Sequence, residues 1–178
     1  MDNLNYWFDA IFGTSLIVII YQTIRFYMLT RYNDIAYAIN KRHKKTGNTF
    51  LCEAIENEDE VEVERLLKFG ANPDKKGYLK GYRYKIHPLF IALKFENIVI
   101  IQLLIKYGAN VNTVCRYDKF SKLTPLMMAV KLQHSRLTRF FLYSGANPNI
   151  QCNRETVFDI AIKLKRNDLF NLLKAHGG

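Results

Sequence analysis

The sequence predicts an all-α fold, a solenoid of helix–turn–helix units preceded by an N-terminal hydrophobic helix. Three observations carry this prediction. First, Gly-Ala-Asn recurs at Gly70, Gly108 and Gly145, each time closing an apolar stretch: "LLKFGANPD", "LLIKYGANVN" and "FLYSGANPN". Second, a short pattern ending in alanine precedes each of these glycines, and Gly177, at a fixed distance: Ala54 to Gly70, Ala92 to Gly108, Ala129 to Gly145 and Ala161 to Gly177 are each 16 residues apart. Third, the 15 residues from Ala10 to Ile24 carry no charge.

The repeated pattern reads "TFLCEA", "HPLFIA", "TPLMMA" and "TVFDIA", beginning at residues 49, 87, 124 and 156. A Thr or similar residue at its head suits an N-cap, and Pro88 and Pro125 suit early helical positions whose N–H has no partner to lose. The alanine lets a second helix approach closely. That helix carries apolar residues at helical spacing, Val99, Ile100, Leu103 and Leu104 in the second unit. The glycine ends it, because the residue beyond a helix often turns left-handed. A two-helix unit cannot bury its own apolar face, so the same turn must recur wherever neighbours stack.

These units resemble the ankyrin repeat, whose period is ~33 residues with a Thr-Pro-Leu-His-x-Ala signature. The resemblance covers about residues 47–178, with units of about 47–76, 77–113, 114–150 and 151–178. The signature histidine is replaced by Cys52, Phe90, Met127 and Asp159, which weakens the expected hydrogen bonding of the turn. The resemblance implies a concave face built from the first helices and hairpin tips, and a function in holding another protein.

The first two unit spacings, 38 and 37 residues, exceed the third, 32. The excess falls after Gly-Ala-Asn, in "KKGYLKGYRYKI" and "TVCRYDKFSKL", and lengthens two hairpin tips. Both are basic and aromatic, with Tyr78, Lys80, Tyr82, Arg83 and Tyr84 in the first and Arg116, Tyr117 and Lys119 in the second. Such tips suit an acidic protein surface. A solvated loop or nucleic acid bound by phosphate contacts and stacking are the other readings; nucleic acid is the least favoured.

On the implied concave face, equivalent positions line up. One residue before the alanines stand Glu53, Ile91, Met128 and Ile160; two after stand Glu56, Lys94, Lys131 and Lys163; three after stand Asn57, Phe95, Leu132 and Leu164. The last three units thus present a lysine ladder beside an apolar stripe, the expected partner-binding surface. The first unit is acidic instead, with seven acidic residues from Glu53 to Glu64. From Lys75 onward the chain has 18 Lys and Arg against 5 Asp and Glu.

The N-terminal stretch spans about 22 Å as a helix, against a hydrocarbon core of ~30 Å. Extension to Leu29 includes Arg25, which can snorkel. Aromatics flank the stretch (Tyr6, Trp7, Phe26, Tyr27), and basic residues follow it, which places the repeats in the cytoplasm. The expectation is a single-pass anchor through residues 10–29, within a hydrophobic segment of residues 1–30. A basic helix or linker over 31–46, helical from Asp34 to Lys45, caps the repeats of 47–178. The alternative is a soluble cytoplasmic chain whose helix docks in its own groove or covers the first unit.

The net charge of +10 favours acidic partners. Cys52, Cys115 and Cys152 are odd in number and widely spaced, which argues against a disulfide framework or zinc site and suits a reducing compartment. No P-loop, G-x-S-x-G or H-E-x-x-H pattern occurs, and His43, His87, His134 and His176 lack metal-ligand spacing. The chain therefore reads as a non-enzymatic, membrane-tethered binding module without metal or cofactor, for a partner that is acidic and partly apolar. A second reading is an inhibitor or immunity protein that neutralises a toxin or enzyme. The sequence does not set the oligomeric state.

Overall fold

The computed structural model describes residues 2–43, 46–80, 82, 84–116 and 121–177, with side chains from residue 20 onward. Helix α1 (Asp2–Ile39) is followed by four helix pairs among the described residues: α2 (Phe50–Glu56) with α3 (Glu60–Lys68), α4 (Pro88–Lys94) with α5 (Ile98–Lys106), α6 (Pro125–Lys131) with α7 (Ser135–Tyr143), and α8 (Val157–Lys163) with α9 (Asn167–Gly177). The first helices of the pairs pack side by side in chain order, α2 on α4, α4 on α6 and α6 on α8, and form an inner layer. Outer helices α3 and α5, and α7 and α9, pack likewise.

Local chemistry explains most of the helix starts. Thr49 and Thr124 accept from the N–H groups of Cys52 and Met127 at 3.1 and 3.2 Å. Thr156 and Asp159 cap each other reciprocally at the start of α8. The second unit departs from the expected cap. The His87 side chain does not cap α4, and its Nε2 lies 3.0 Å from the Thr113 hydroxyl instead. The first three outer helices have caps of their own, with Asp59, Asn97 and His134 accepting from the third residue on.

The recurring glycines do what their spacing implies. Gly70, Gly108 and Gly145 hold φ of 86°, 89° and 85°, the left-handed region. Each N–H bonds back three residues, and the following alanine bonds back five: Gly70 to Leu67 and Ala71 to Leu66, for example, at 3.1 and 2.9 Å. This is the Schellman pattern. The repeat alanines are buried, with Ala92 and Ala129 fully so. Ile100, Ile101, Leu104, Leu137, Phe141, Leu169 and Leu173, all at 0% exposure, fill the space between the layers.

Two extended tips interrupt the helices. In the first, Gly77 pairs with Ile86 across an antiparallel bridge, and Asn48 grips Tyr78 through both its N–H and its carbonyl. In the second, β1 (Cys115–Arg116) pairs antiparallel with β2 (Lys122–Leu123). Arg83, Tyr117 and Lys119, three of the expected contact residues, lie outside the described residues.

A side-chain ladder ties each unit to the next. Asp74 accepts from the Asn110 N–H, and Asn112 accepts from the Asn147 N–H while donating to the Gly145 carbonyl. Asn40 fills the same role one unit earlier. Its Oδ1 accepts from the Asn72 N–H, and its Nδ2 donates to the Gly70 carbonyl, both at 2.8 Å. Tyr32 and Ala36 pack over Gly70, where an added Cβ would lie 3.0 Å from the Ala36 methyl. The end of α1 thus stands where a preceding repeat would stand. It runs unbroken through the expected division at residue 30 and stops at Ile39, short of Lys45. Asn40→Ala is expected to lower stability by about 1–2 kcal/mol, since two backbone groups lose their partner; the urea midpoint checks this. Among the described residues no helix is long and apolar enough to cross a membrane.

Candidate functional site

The first insertion and the inner helices meet in one cluster. Lys94, at the exposed end of α4, donates to the Tyr82 hydroxyl at 2.8 Å and lies 4.2 Å from the centre of its ring. Tyr82 meets Tyr84 edge to face at 5.5 Å. The Arg116 guanidinium, on β1, sits 5.5 Å from the Tyr84 ring centre. Cations over aromatic faces are attracted by the ring quadrupole. Among the described residues neither Lys94 nor Arg116 forms an ion pair.

Beside this cluster is a recess of about 200 Å³. Leu79, Tyr82 and Ile86 of the first insertion form one wall. Phe90 and Lys94 of α4, Arg116, and Met128 with Leu132 at α6 complete it. The floor is apolar and the rim is cationic. Six of the expected contact residues therefore converge here: Tyr82, Tyr84, Lys94, Arg116, Met128 and Leu132. Leu79, Ile86 and Phe90 complete the recess, and the sequence reading passed over them. Their only signal is that Leu79 and Ile86 are the aliphatic residues of an otherwise basic and aromatic tip.

The expected apolar stripe is mostly withdrawn from the surface. Ile91, Met128 and Ile160 are only 0%, 5% and 6% exposed. They sit one residue before the alanines, on the side of each inner helix that packs against its neighbours. Phe95, Leu132 and Leu164 are half-buried against the core. The lysines also differ among themselves. Lys163 pairs with Glu155, so the fourth unit offers less positive charge than its sequence implies. Lys131 is exposed. Tyr78 and Lys80 lie at the junction with the first unit, where the Lys80 N–H donates to Glu56. In the first unit, Glu62 and Glu64 pair with Arg65 and Lys68 on the outer helix.

All three cysteines are free and buried. Burial raises each thiol, Cys52 to about 11. A thiol reacts as its thiolate, so Cys52 is expected to resist iodoacetamide at pH 8 in the folded chain and to react on unfolding. Mass spectrometry of the labelled chain reads this directly.

Stacked helix pairs, left-handed glycine turns and hairpin tips projecting beside the inner helices define a helical-repeat scaffold. The family described as ankyrin repeats, in three copies, matches residues 89–178, and the chain belongs to that family. The helix pair α2–α3 lies ahead of the matched stretch and has the same geometry. The human protein Ankyrin repeat and SOCS box protein 14 is 36% identical over 78 residues, which cover 44% of this chain and 12% of that protein. Ankyrin repeats generally act as protein–protein interaction modules.

Proposed function

We propose that this chain is a non-enzymatic interaction module, tethered to a membrane by α1 with its repeats in the cytoplasm. It holds an acidic, partly apolar protein surface against its inner helices and first insertion. The observation that carries this reading is the grouping of Lys94, Tyr82, Tyr84 and Arg116 beside an apolar recess. Tyr and Arg are residue types that dominate interface energetics. Two cations that, among the described residues, meet rings and a hydroxyl and no carboxylate favour carboxylates on the partner.

The tether is supported by the surface of α1. Ten large hydrophobic residues between Ile20 and Tyr37 are exposed, among them Ile24, Phe26, Met28 and Leu29. Exposed apolar residues spread along a helix that also carries Arg25 and Arg31 suit the interface of a bilayer. Its last turns and the residue after them, from Tyr32 to Asn40, meet the first repeat through the contacts described above. Washing membranes of cells that produce the full chain with alkaline carbonate tests the tether. Retention in the pellet is expected, and complete release removes it.

Reversing both rim charges, Lys94→Glu with Arg116→Glu, tests the binding face. Recovery of co-purified partner protein is expected to fall at least about tenfold, while helical circular dichroism stays unchanged. Undiminished recovery contradicts the assignment.

A further inference from the structure

We propose that the recess between the second and third units is an anchor site for one large apolar side chain of an extended acidic segment. A carboxylate beside that side chain is held by Lys94 and Tyr82 together. This rests on the binding-face reading above and specifies the chemistry of its partner.

The hydrogen-bond inventory of Tyr82 carries the argument. Its hydroxyl oxygen accepts from the Lys94 ammonium at 2.8 Å. Its own proton has no acceptor among the described residues. A hydroxyl is both donor and acceptor, and an ammonium offers three donors. A carboxylate arriving at this pair therefore meets two donors that already touch each other, one of them charged. Such bonds are about twice as strong as neutral ones. Arg116 is held at the far side of the Tyr82–Tyr84 pair. It can meet a second carboxylate on the same segment through its planar fork.

The recess itself selects size. Its volume of about 200 Å³ equals the liquid share of about seven waters, too little for a helix and enough for one bulky side chain. Phe90, Met128 and Leu132 present carbon and sulfur, with no carboxylate among the described residues that line it. A leucine, methionine or aromatic side chain flanked by Asp or Glu meets both requirements. A basic or purely polar segment meets neither.

Selection of random dodecapeptides displayed on phage against the immobilised full chain tests this. Enriched peptides are expected to carry one large apolar residue with Asp or Glu within two positions. Synthetic copies are expected to lose affinity about tenfold on Tyr82→Phe or Lys94→Gln, and to lose it on filling the recess by Leu132→Trp. Arg136→Gln, on the outer helix α7, is expected to change nothing. Neutral or basic peptides that still depend on Leu132 overturn the acidic specificity but leave the binding face standing. Peptides indifferent to Lys94, Tyr82 and Leu132 alike, or no enrichment, overturn both. Each variant's urea midpoint is measured alongside, so that unfolding is not read as lost recognition.

Discussion

Ile91→Ala is expected to cost about 3 kcal/mol of stability and to shift the urea midpoint down by about 1.5 M. Ile91 is at 0% exposure in α4, the inner helix that packs on α2, α5 and α6. Removing its outer carbons loses their transfer free energy and leaves a cavity that rigid neighbours on three sides cannot fill. The sequence alone puts Ile91 among the partner-binding residues, where the same change would weaken binding and spare stability. The two accounts separate in one denaturation series. Lys94→Gln, at the exposed end of the same helix, is expected to stay within about 0.5 kcal/mol of the wild type. An unchanged midpoint for Ile91→Ala would return that residue to the surface.

Gly77→Ala is expected to cost about 3 kcal/mol or more, through overlap and not through a cavity. A Cβ at Gly77 would lie 2.1 Å from Asn48 Oδ1, 2.5 Å from Cys52 Sγ and 2.6 Å from Cys52 Cβ. None of these can retreat cheaply. Asn48 Oδ1 accepts from the N–H groups of Thr49 and Tyr78 at 2.9 and 3.0 Å, and Asn48 is only 4% exposed. Cys52 is fully buried in α2. Displacing Asn48 would leave buried polar groups unpaired, a cost added to the overlap itself. Because Gly77 also pairs with Ile86 at the root of the first tip, the variant is expected to loosen Tyr82 and Tyr84 as well. Calorimetry of Gly77→Ala reads the stability loss, and limited proteolysis between residues 77 and 86 reads the loosening. A variant as stable and as resistant as the wild type would mean that the junction is less tightly packed than described.

The repeat architecture was legible because its turn chemistry is local. A left-handed residue ending each of the first three outer helices demands glycine, whereas Gly177 stays within α9, and the constant interval of 16 residues fixes the helix pair that precedes each glycine. The turn between inner and outer helices is just as regular. Glu58, Glu96, Gln133 and Lys165 stand there at φ of 55°, 53°, 55° and 54°. It left no mark in the sequence, because none of the four is glycine. Burial along the inner helices departs from expectation at Ile91 and Ile160, whereas Met128, almost as buried, still lines the recess. A seven-residue helix has two packed sides, and its periodicity cannot say which apolar residues face a neighbour and which face a groove. The insertions were located by spacing, and their aromatic and basic residues were recognised as contact candidates. That Tyr82 would engage Lys94 and Arg116 would reach Tyr84 depends on how two tips fold back over the inner layer, which no local pattern encodes. Asn40 is similar. Its resemblance to Asn112 is one of role, visible only once α1 sits on the first unit.

Site-specific photo-crosslinking in intact cells tests most directly that the inner face is where this chain holds its partner. A photoreactive phenylalanine is placed at position 132, on the rim of the recess, or at position 143, where Tyr143 stands 73% exposed on the outer helix α7. The prediction is a discrete protein adduct from position 132 that disappears with Lys94→Glu and Arg116→Glu, and no such adduct from position 143. Silence at 132, or the same adduct from both positions, would contradict it.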